Sequence, residues 1–263
     1  MADVERERAA DGVALLRLNR PERLNALKFE TFGVIADQCR ALEADEEVRV
    51  VVLTGAGRAF CAGLDLDDAA ELATMSAPEM LARQEGWAAG VTALRRLTKP
   101  VIAAVNGAAA GAGMGLALAA DIRVGAPAAT FVPAFVRIGL TGGDVGVSWM
   151  LPRLVGLARA TEILLTGRPV DAERALAIGL LGSVVEPERL LDAALGTAAE
   201  IAAFGPFGVR LTKQVLQTNV DTPSLEAALE LENRNQVLST RTEDMPEALA
   251  AFREKRLPQY KNR

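Results

Sequence analysis

Two turns rich in glycine and alanine offer main-chain N–H groups at places where side chains can do no chemistry. The first, GAG at 111–113, follows the largely apolar run 99–105 and opens a predicted helix. N–H groups at a helix start lack partners within the helix, and glycine and alanine let a ligand approach them closely. The second turn, CAGLDL at 61–66, also follows an apolar run. On neighbouring strands, two such turns can aim two N–H groups at one oxygen, as in an oxyanion hole.

The glycines have a second interpretation, because glycine at a helix start also permits close packing of the helix on a sheet. On spacing alone both uses stay open. The GAGMGL stretch lacks the glycine spacing of a dinucleotide-binding loop, no GxxxxGK[ST] phosphate loop occurs, and Ser148 is not in a GxSxG turn. The chain has no histidine, which excludes Ser-His-Asp hydrolysis, Cys-His proteolysis and imidazole-ligated metals. Cys39 and Cys61 have no metal-ligand spacing, so we expect no metal site.

Asp144 is the best-placed acid or base. It is the only charged residue between Arg137 and Arg153. Burial beside apolar residues such as Phe135, Val136 and Trp149 would raise its pKa and suit it to proton transfer. The alternative is that Asp144 only caps the following helix, because aspartate is among the preferred N-cap residues.

Hydrophobic periodicity predicts the elements that hold these residues. Strands and helices alternate over the first part of the chain, which is a βαβ pattern. The predicted strands are 12–19, 48–55, 100–106 and 121–126, and the predicted helices of this part are 29–45 and 77–98. After Pro152 capping signals predict mainly helices, starting after Asp171, at 186–187, at 205–206, at 222–223 and at 244. The helix predicted over 244–256 has an apolar face at Ala248, Leu249 and Phe252, suited to packing on the body or on another subunit.

Composition limits the class of protein. The chain has 263 residues, of which 50% are hydrophobic, and a net charge of −5, which is typical of one main globular domain without nucleic-acid binding. The amino-terminal dozen residues have no apolar core, so they do not predict a signal peptide. Residues 101–120 are uncharged but rich in glycine and alanine, and we expect no membrane span there. These features predict a cytoplasmic protein.

Four segments resemble the successive signature blocks of the crotonase, or enoyl-CoA hydratase/isomerase, family. They are LNRPERLNAL at 18–27, GRAFCAGLDL at 57–66, 99–124 and 151–181. The resemblance covers nearly the whole chain. It implies an α/β fold, with a crotonase-like ββα spiral in residues 1–200 that binds acyl-CoA, and a helical trimerisation region in 201–263. It also implies an acyl-CoA thioester as the partner, a homotrimer or a hexamer built as a dimer of trimers, and no cofactor other than the CoA carried by the substrate.

The resemblance also assigns residues. It places the two oxyanion-hole N–H groups on Leu64 and Ala112. It places substrate binding at Arg23, Leu24, Ala26, Ala62, Asp65, Leu66 and Phe135. Lys255 and Arg256 are candidates for contacting CoA phosphates from a neighbouring subunit; the alternative for both is a solvated helix end whose cations complement the helix dipole.

The chain departs from the family's hydratases at the two catalytic glutamates. Those positions hold Gly115 and Phe135, which cannot transfer a proton. Isomerases of the family keep a lone aspartate in the loop that contains Asp144, although the loop here is one residue longer. The favoured hypothesis is therefore an isomerase that moves a double bond or opens an epoxide through an oxyanion-stabilised enolate. Two alternatives stay open: a hydratase with unconventional acid and base residues, and an acyl-CoA-binding protein without catalysis.

Overall fold

Alternate residues of the central strands pack on opposite faces of one sheet. In the computed structural model, which describes residues 2–262, strands β3 (Val50–Gly55) and β4 (Val101–Val105) are buried along their whole length. Val51 and Leu53 belong to the larger core cluster, whereas Val50 and Val52 belong to a smaller one. The alternation follows from the two-residue period of a strand. The largely continuous run of apolar residues in each of these strands, predicted from the sequence, reflects burial of both faces of the sheet.

The sheet has six strands in the order β1-β2-β3-β4-β6-β9. The first pair is antiparallel and the other pairs are parallel. A second sheet has the order β5-β7-β8. The strands are β1 Val4–Ala10, β2 Val13–Leu18, β3 Val50–Gly55, β4 Val101–Val105, β5 Ala108–Ala110, β6 Ile122–Gly125, β7 Thr130–Val132, β8 Val170–Asp171 and β9 Ser183–Val184.

Helices cover both faces of the large sheet. The α-helices of the described residues are α1 Phe29–Ala44, α2 Leu66–Ala69, α3 Ala77–Arg96, α4 Ala112–Ala119, α5 Val147–Val155, α6 Leu157–Thr166, α7 Ala172–Ala177, α8 Leu190–Ala202, α9 Pro206–Asn219, α10 Leu225–Ser239 and α11 Asp244–Glu254. Helices α1, α3 and α4 contribute to the larger cluster and α8 to the smaller one. Short 3-10 helices lie at Pro21–Arg23, Leu72–Thr74, Phe135–Ile138 and Pro187–Arg189.

A buried ion pair attaches the carboxy-terminal helices to the body. Lys213 of α9 donates to Asp121 at 2.6 Å, and the same carboxylate accepts the N–H of Val101 at 2.8 Å. Beyond this contact α11 leaves apolar side chains in solvent, with Phe252 84% exposed. Within residues 2–262 no single helix is long and apolar enough to cross a membrane. One pair of helical segments, Pro187–Ala202 and Pro206–Asn219, reaches the necessary length and apolar composition only when the two are taken together, and they meet at a bend of 108°.

The predicted strands and most predicted helices are confirmed within a few residues. Asp171 caps α7 as expected, accepting the N–H of Arg174 at 2.8 Å. The helix predicted from 222–223 begins later, at Leu225, and Ser224 caps it. Strand β1 was not predicted, because its sequence VERERAA is mostly charged. It is an edge strand with largely exposed side chains, so pairing with β2, rather than burial, defines it.

Candidate active site

The first signature segment folds into a tight turn held by a buried asparagine. Leu24 and Asn25 both have positive φ, 53° and 58°, a conformation that asparagine tolerates better than most residues. The Asn25 amide donates to the carbonyls of Ala56 and Ala59, both at 2.8 Å, and its carbonyl oxygen accepts the N–H of Arg20 at 2.9 Å. Sequence analysis missed this residue. An asparagine shortly after the Pro21–Arg23 turn was the sequence signal that could have indicated it, because asparagine is enriched at positions with positive φ.

Main-chain hydrogen bonds join the first segment to the second. Ala62 donates to the carbonyl of Leu24 at 2.9 Å, and Leu27 donates to the carbonyl of Gly63 at 2.7 Å. Asp65 then donates back to Leu27 at 2.8 Å. Four of the predicted substrate-binding positions, Leu24, Ala26, Ala62 and Asp65, therefore lie on two adjacent chain segments. Leu66 follows them with its side chain 79% exposed.

The two predicted oxyanion amides lie on turns that pack against one another. Ala110 donates to the carbonyl of Cys61 at 2.9 Å, which pairs the second segment with β5. Gly63 has φ +93°, and a Cβ added there would lie 2.8 Å from the oxygen of Ala110 and 3.6 Å from the nitrogen of Ala112. The Leu64 amide is the next one along the chain. Within residues 2–262 neither the Leu64 N–H nor the Ala112 N–H donates to a protein group.

The glycines of the first turn serve packing as well. A Cβ at Gly113 would lie 2.2 Å from the carbonyl oxygen of Cys61, so α4 approaches the second segment as closely as its backbone allows. Gly111 has φ 51° and ψ −119°, a combination open in practice only to glycine. The packing interpretation therefore holds at Gly113, while the neighbouring Ala112 N–H at the helix start has no hydrogen-bond partner in the described part of the chain.

Asp144 does not cap a helix through its side chain. The N-cap of α5 is Gly146, and the carboxylate of Asp144 instead accepts the N–H of Val145 at 2.7 Å through Oδ1. The same oxygen accepts a hydrogen bond from the amide of Gln84 on α3. Burial raises the pKa of Asp144 above its ordinary value, and the hydrogen bonds from Val145 and Gln84 partly oppose this.

The loop of Asp144 lies against α4, one helical turn beyond Ala112. A Cβ at Gly115 would lie 2.8 Å from Cγ2 of Val145 and 3.2 Å from Cγ1 of Val91. The space that a side chain at position 115 would need is therefore occupied by the residue that follows Asp144. Val145 is only 4% exposed and has φ 40°, which is rare for a β-branched residue.

Phe135 and Trp149, both expected near the carboxylate, have different environments. Phe135 is buried, and its Cε1 lies 3.8 Å from the point where a Cβ of Gly111 would be, which places the ring beside the turn at 111–113. The ring of Trp149 is partly exposed and contacts the guanidinium groups of Arg153 at 3.8 Å and Arg95 at 4.9 Å from its centroid.

Asp65 forms ion pairs with two arginines. Its carboxylate is 3% exposed and lies 2.9 Å from both Arg20 and Arg23. The hydrogen bond from Arg23, the largest cause, lowers the pKa of Asp65 to about 2. Arg23 also pairs with the exposed Asp67 at 2.6 Å. The side chain of Asp65 therefore orients Arg23, whose side chain stays 43% exposed.

Lys255 and Arg256 lie at the end of α11. Lys255 is exposed and has φ 54°. The guanidinium of Arg256 is held by Glu247 at 2.5 Å and by Glu254 at 2.6 Å, and its pKa is raised by these partners. Its hydrogen bonds stay within the carboxy-terminal region, and among the described residues no hydrogen bond or ion pair joins either cation to the two turns.

Comparison with known proteins extends over nearly the whole chain. The family described as enoyl-CoA hydratase/isomerase matches residues 8–263. A 1,2-epoxyphenylacetyl-CoA isomerase of Escherichia coli is 42% identical over 250 residues, with 95% of each chain covered. A "probable enoyl-CoA hydratase" of Mycobacterium tuberculosis is 43% identical over 253 residues, covering 94% of this chain and 89% of the relative. The structure of an enoyl-CoA hydratase from Bacillus anthracis superposes with a TM-score of 0.94 at 33% identity, with both chains fully covered.

These matches confirm the resemblance stated for the four signature segments and the α/β fold expected from it. The chain is a member of the crotonase, or enoyl-CoA hydratase/isomerase, family of enzymes.

Proposed function

We propose that this enzyme isomerises an enoyl-CoA or epoxyacyl-CoA thioester, with Asp144 as its single acid and base. The observation that carries the proposal is a half-buried carboxylate beside α4, with its pKa raised by burial, in a site whose two glutamate positions hold Gly115 and Phe135. One carboxylate is sufficient to take a proton from one carbon and return it to another.

The N–H groups of Leu64 and Ala112 complete the proposed mechanism. A thioester oxygen that accepts both hydrogen bonds gains negative charge as the neighbouring carbon loses its proton, and the two donors stabilise that charge where it develops. Removing one donor of this kind typically costs about 3 kcal/mol of transition-state stabilisation. The reaction needs no metal and no cofactor beyond the CoA of the substrate.

CoA itself is proposed to lie along the two adjacent segments that hold Arg23, Leu24, Ala26, Ala62 and Leu66. The exposed guanidinium of Arg23, oriented by Asp65, is suited to a CoA phosphate. We propose that residues 201–263 mediate assembly into a trimer or a dimer of trimers, which would bring Lys255 to a neighbouring subunit's CoA. The exposed apolar side chains of α11 support this part of the proposal.

Hydration is the second candidate, because the mycobacterial relative and the Bacillus anthracis structure are named hydratases. Against it, Val145 occupies the space that a glutamate at position 115 would need. A hydratase reaction would therefore have to use Asp144 with a second group of another type. An acyl-CoA-binding role without turnover is the third candidate.

The test is to incubate the purified protein with a 3-enoyl-CoA and with crotonyl-CoA, beside Asp144→Asn. Asp192→Asn, an exposed change on α8, serves as the control. We expect isomerisation of the 3-enoyl-CoA by the wild type and by Asp192→Asn, and its loss in Asp144→Asn. Hydration of crotonyl-CoA that survives Asp144→Asn would contradict the proposal. Binding of both thioesters without turnover would favour the non-catalytic role.

A further inference from the structure

Gln84 is hydrogen-bonded to Asp144, which lies 60 residues further along the chain. Its amide Nε2 donates to Oδ1 of Asp144, although the residue is on α3 and the carboxylate is in the loop before α5. Helix α3 is fixed at this point, since Trp87, one turn further on, is buried and stacks on Phe29 with ring centroids 4.8 Å apart. Gln84 is therefore a half-buried side chain on a well-packed element rather than a surface amide.

The second donor to the carboxylate reaches the same oxygen. The N–H of Val145 lies 2.7 Å from Oδ1, and the positive φ of Val145 accompanies the burial of its side chain against Gly115. Both protein hydrogen bonds of the carboxylate thus end on Oδ1, while Oδ2 accepts none from residues 2–262. The two oxygens of this group are chemically different.

We propose that Gln84 is a positioning residue that fixes Oδ1, so that Oδ2 alone takes and returns the substrate proton. This inference rests on the isomerase function proposed above. Two donors on one oxygen lower its basicity and prevent the carboxylate from rotating, and the second oxygen stays available to the substrate.

One carboxylate oxygen is sufficient for both steps of the proton transfer. The C–H bond next to the thioester carbonyl breaks, its proton forms an O–H bond with Oδ2, and the electron pair moves towards the carbonyl oxygen. The O–H bond then breaks, the proton bonds to the other end of the conjugated system, and the carbonyl is restored. Because the same fixed oxygen acts twice, the proton leaves and returns on one face of the acyl chain.

No charged group is among the causes that shift the pKa of Asp144. Helix α4 has no charged residue. On α3 the charged groups are Arg83, which pairs with Glu79, Arg95, which lies over the Trp149 ring, and exposed Glu85 and Arg96. On α6 they are Arg159, which donates to the carbonyl of Val155, and Glu162, which pairs with Arg174. The loop before α5 has exposed Arg137, and α5 has Arg153, which pairs with Asp221. Of the groups that shift the pKa of Asp144, only Gln84 and Val145 act through hydrogen bonds. A change in its titration on substitution of Gln84 is therefore assignable to the lost donor.

The central variant is Gln84→Leu, which removes the donor and keeps most of the volume. Gln38→Leu on α1 is the matched control, since the half-buried Gln38 amide makes no hydrogen bond among the described residues. We expect kcat for 3-enoyl-CoA isomerisation to fall about 10- to 100-fold in Gln84→Leu with KM within about twofold, because misplacing a reacting group by about 1 Å can cost about 100-fold. The acid limb of the kcat profile should move to higher pH, since the ionised carboxylate loses a donor.

Two further readouts separate positioning from a structural role. In D2O the Gln84→Leu product should contain more solvent deuterium than the wild-type product, because a loosely held carboxyl exchanges its proton. Gln84→Glu places a second carboxylate beside Asp144 and should also move the acid limb to higher pH, which keeps the test available if Gln84→Leu does not fold.

A lower kcat in Gln84→Leu with an unchanged acid limb and unchanged deuterium uptake would overturn the inference, as would kinetics equal to those of the wild type. An unchanged acid limb in Gln84→Glu would also overturn it. Failure of the proposed function is distinguishable, because it appears as isomerase activity that persists in Asp144→Asn. An inactive Asp144→Asn beside a fully active Gln84→Leu would sink only the positioning role.

Discussion

The groups that surround each carboxylate in this site determine the direction in which its pKa is shifted. Asp65 and Asp144 are both carboxylates near the glycine turns, but their pKa values are shifted in opposite directions. Arg23 and Arg20 keep Asp65 ionised and fixed. Among the described residues Asp144 has no cationic partner, and burial destabilises it as an anion, which suits a group that must accept a proton. The difference separates a structural acid from a candidate catalytic one.

Replacing Asp65 tests the structural assignment. Asp65→Asn should lower the free energy of unfolding at pH 7 by about 2 kcal/mol, less than for a fully buried pair because Arg23 is partly exposed. The depressed folded-state pKa, about 2, contributes stability above the unfolded-state pKa of about 3.9, and that stability is lost as the pH falls through the folded value. Urea unfolding between pH 7 and pH 2 should show the difference from wild type shrinking below about pH 4.

Asp67→Asn is the control for this comparison. Asp67 contacts the same Arg23 but its side chain is 82% exposed, so we expect a change below about 1 kcal/mol. Equal effects of the two substitutions would show that burial of Asp65 is not what stabilises the turn.

The geometry of the two glycine turns depends on how closely α4 approaches the segment 61–64. Gly113 allows this approach, and Gly63 leaves room for the main chain of residues 110–112. The N–H groups of Leu64 and Ala112 are thus held by packing of the backbone, not by side chains. A helix start displaced by one methyl group would move one donor relative to the other.

Gly113→Ala should therefore damage both stability and catalysis. The added Cβ would lie 2.2 Å from a backbone oxygen, so we expect a loss of about 2 to 3 kcal/mol in unfolding free energy together with a lower kcat. Gly86→Ala on α3 has no atom within 4 Å of its Cβ and should gain about 0.5 to 1 kcal/mol with unchanged kcat. Thermal unfolding and steady-state kinetics of both variants provide the measurement. A neutral Gly113→Ala would refute the packing argument.

Sequence predicted those features that are local along the chain. The apolar runs of β3 and β4 and the cap at Asp171 follow from residue type and spacing, and their elements are where they were expected. The hydrogen bond between Gln84 and Asp144, and the contact of Val145 with Gly115, depend on how α3, α4 and a loop pack, which no single window of sequence contains. The cap role considered for Asp144 was wrong for the same reason, because the loop turns at Val145 and Gly146 before α5 begins.

At the scale of the whole molecule, we expect several copies of the chain to assemble through the carboxy-terminal helices. Phe252 and Lys255 are exposed at the end of α11, whereas Arg256 is held by two glutamates of its own region. The exposed apolar side chains of α11, beside a lysine that has no ion-pair partner among the described residues, support the proposed contact with another subunit and its ligand. We expect a solution mass of three or six times 27.8 kDa.

Lys255 and Arg256 should then differ in their effect on substrate binding. Lys255→Asn, a change compatible with the left-handed backbone, should raise KM for a CoA thioester several-fold. Arg256→Gln should leave KM unchanged because its guanidinium is already paired. The same thioester with the nucleotide part of CoA removed should show no effect of Lys255→Asn. A KM that is unchanged in Lys255→Asn for the full CoA thioester would exclude this residue from phosphate binding.

The most direct test of the mechanism is exchange of the protons next to the thioester carbonyl. A saturated acyl-CoA offers such protons but cannot isomerise or be hydrated, so its uptake of deuterium in D2O reports enolate formation alone. We predict exchange catalysed by the wild type and reduced by about 100-fold or more in Asp144→Asn, the typical contribution of a general base, with binding of the acyl-CoA retained. Exchange at the wild-type rate in Asp144→Asn would contradict the assignment of this carboxylate as the base.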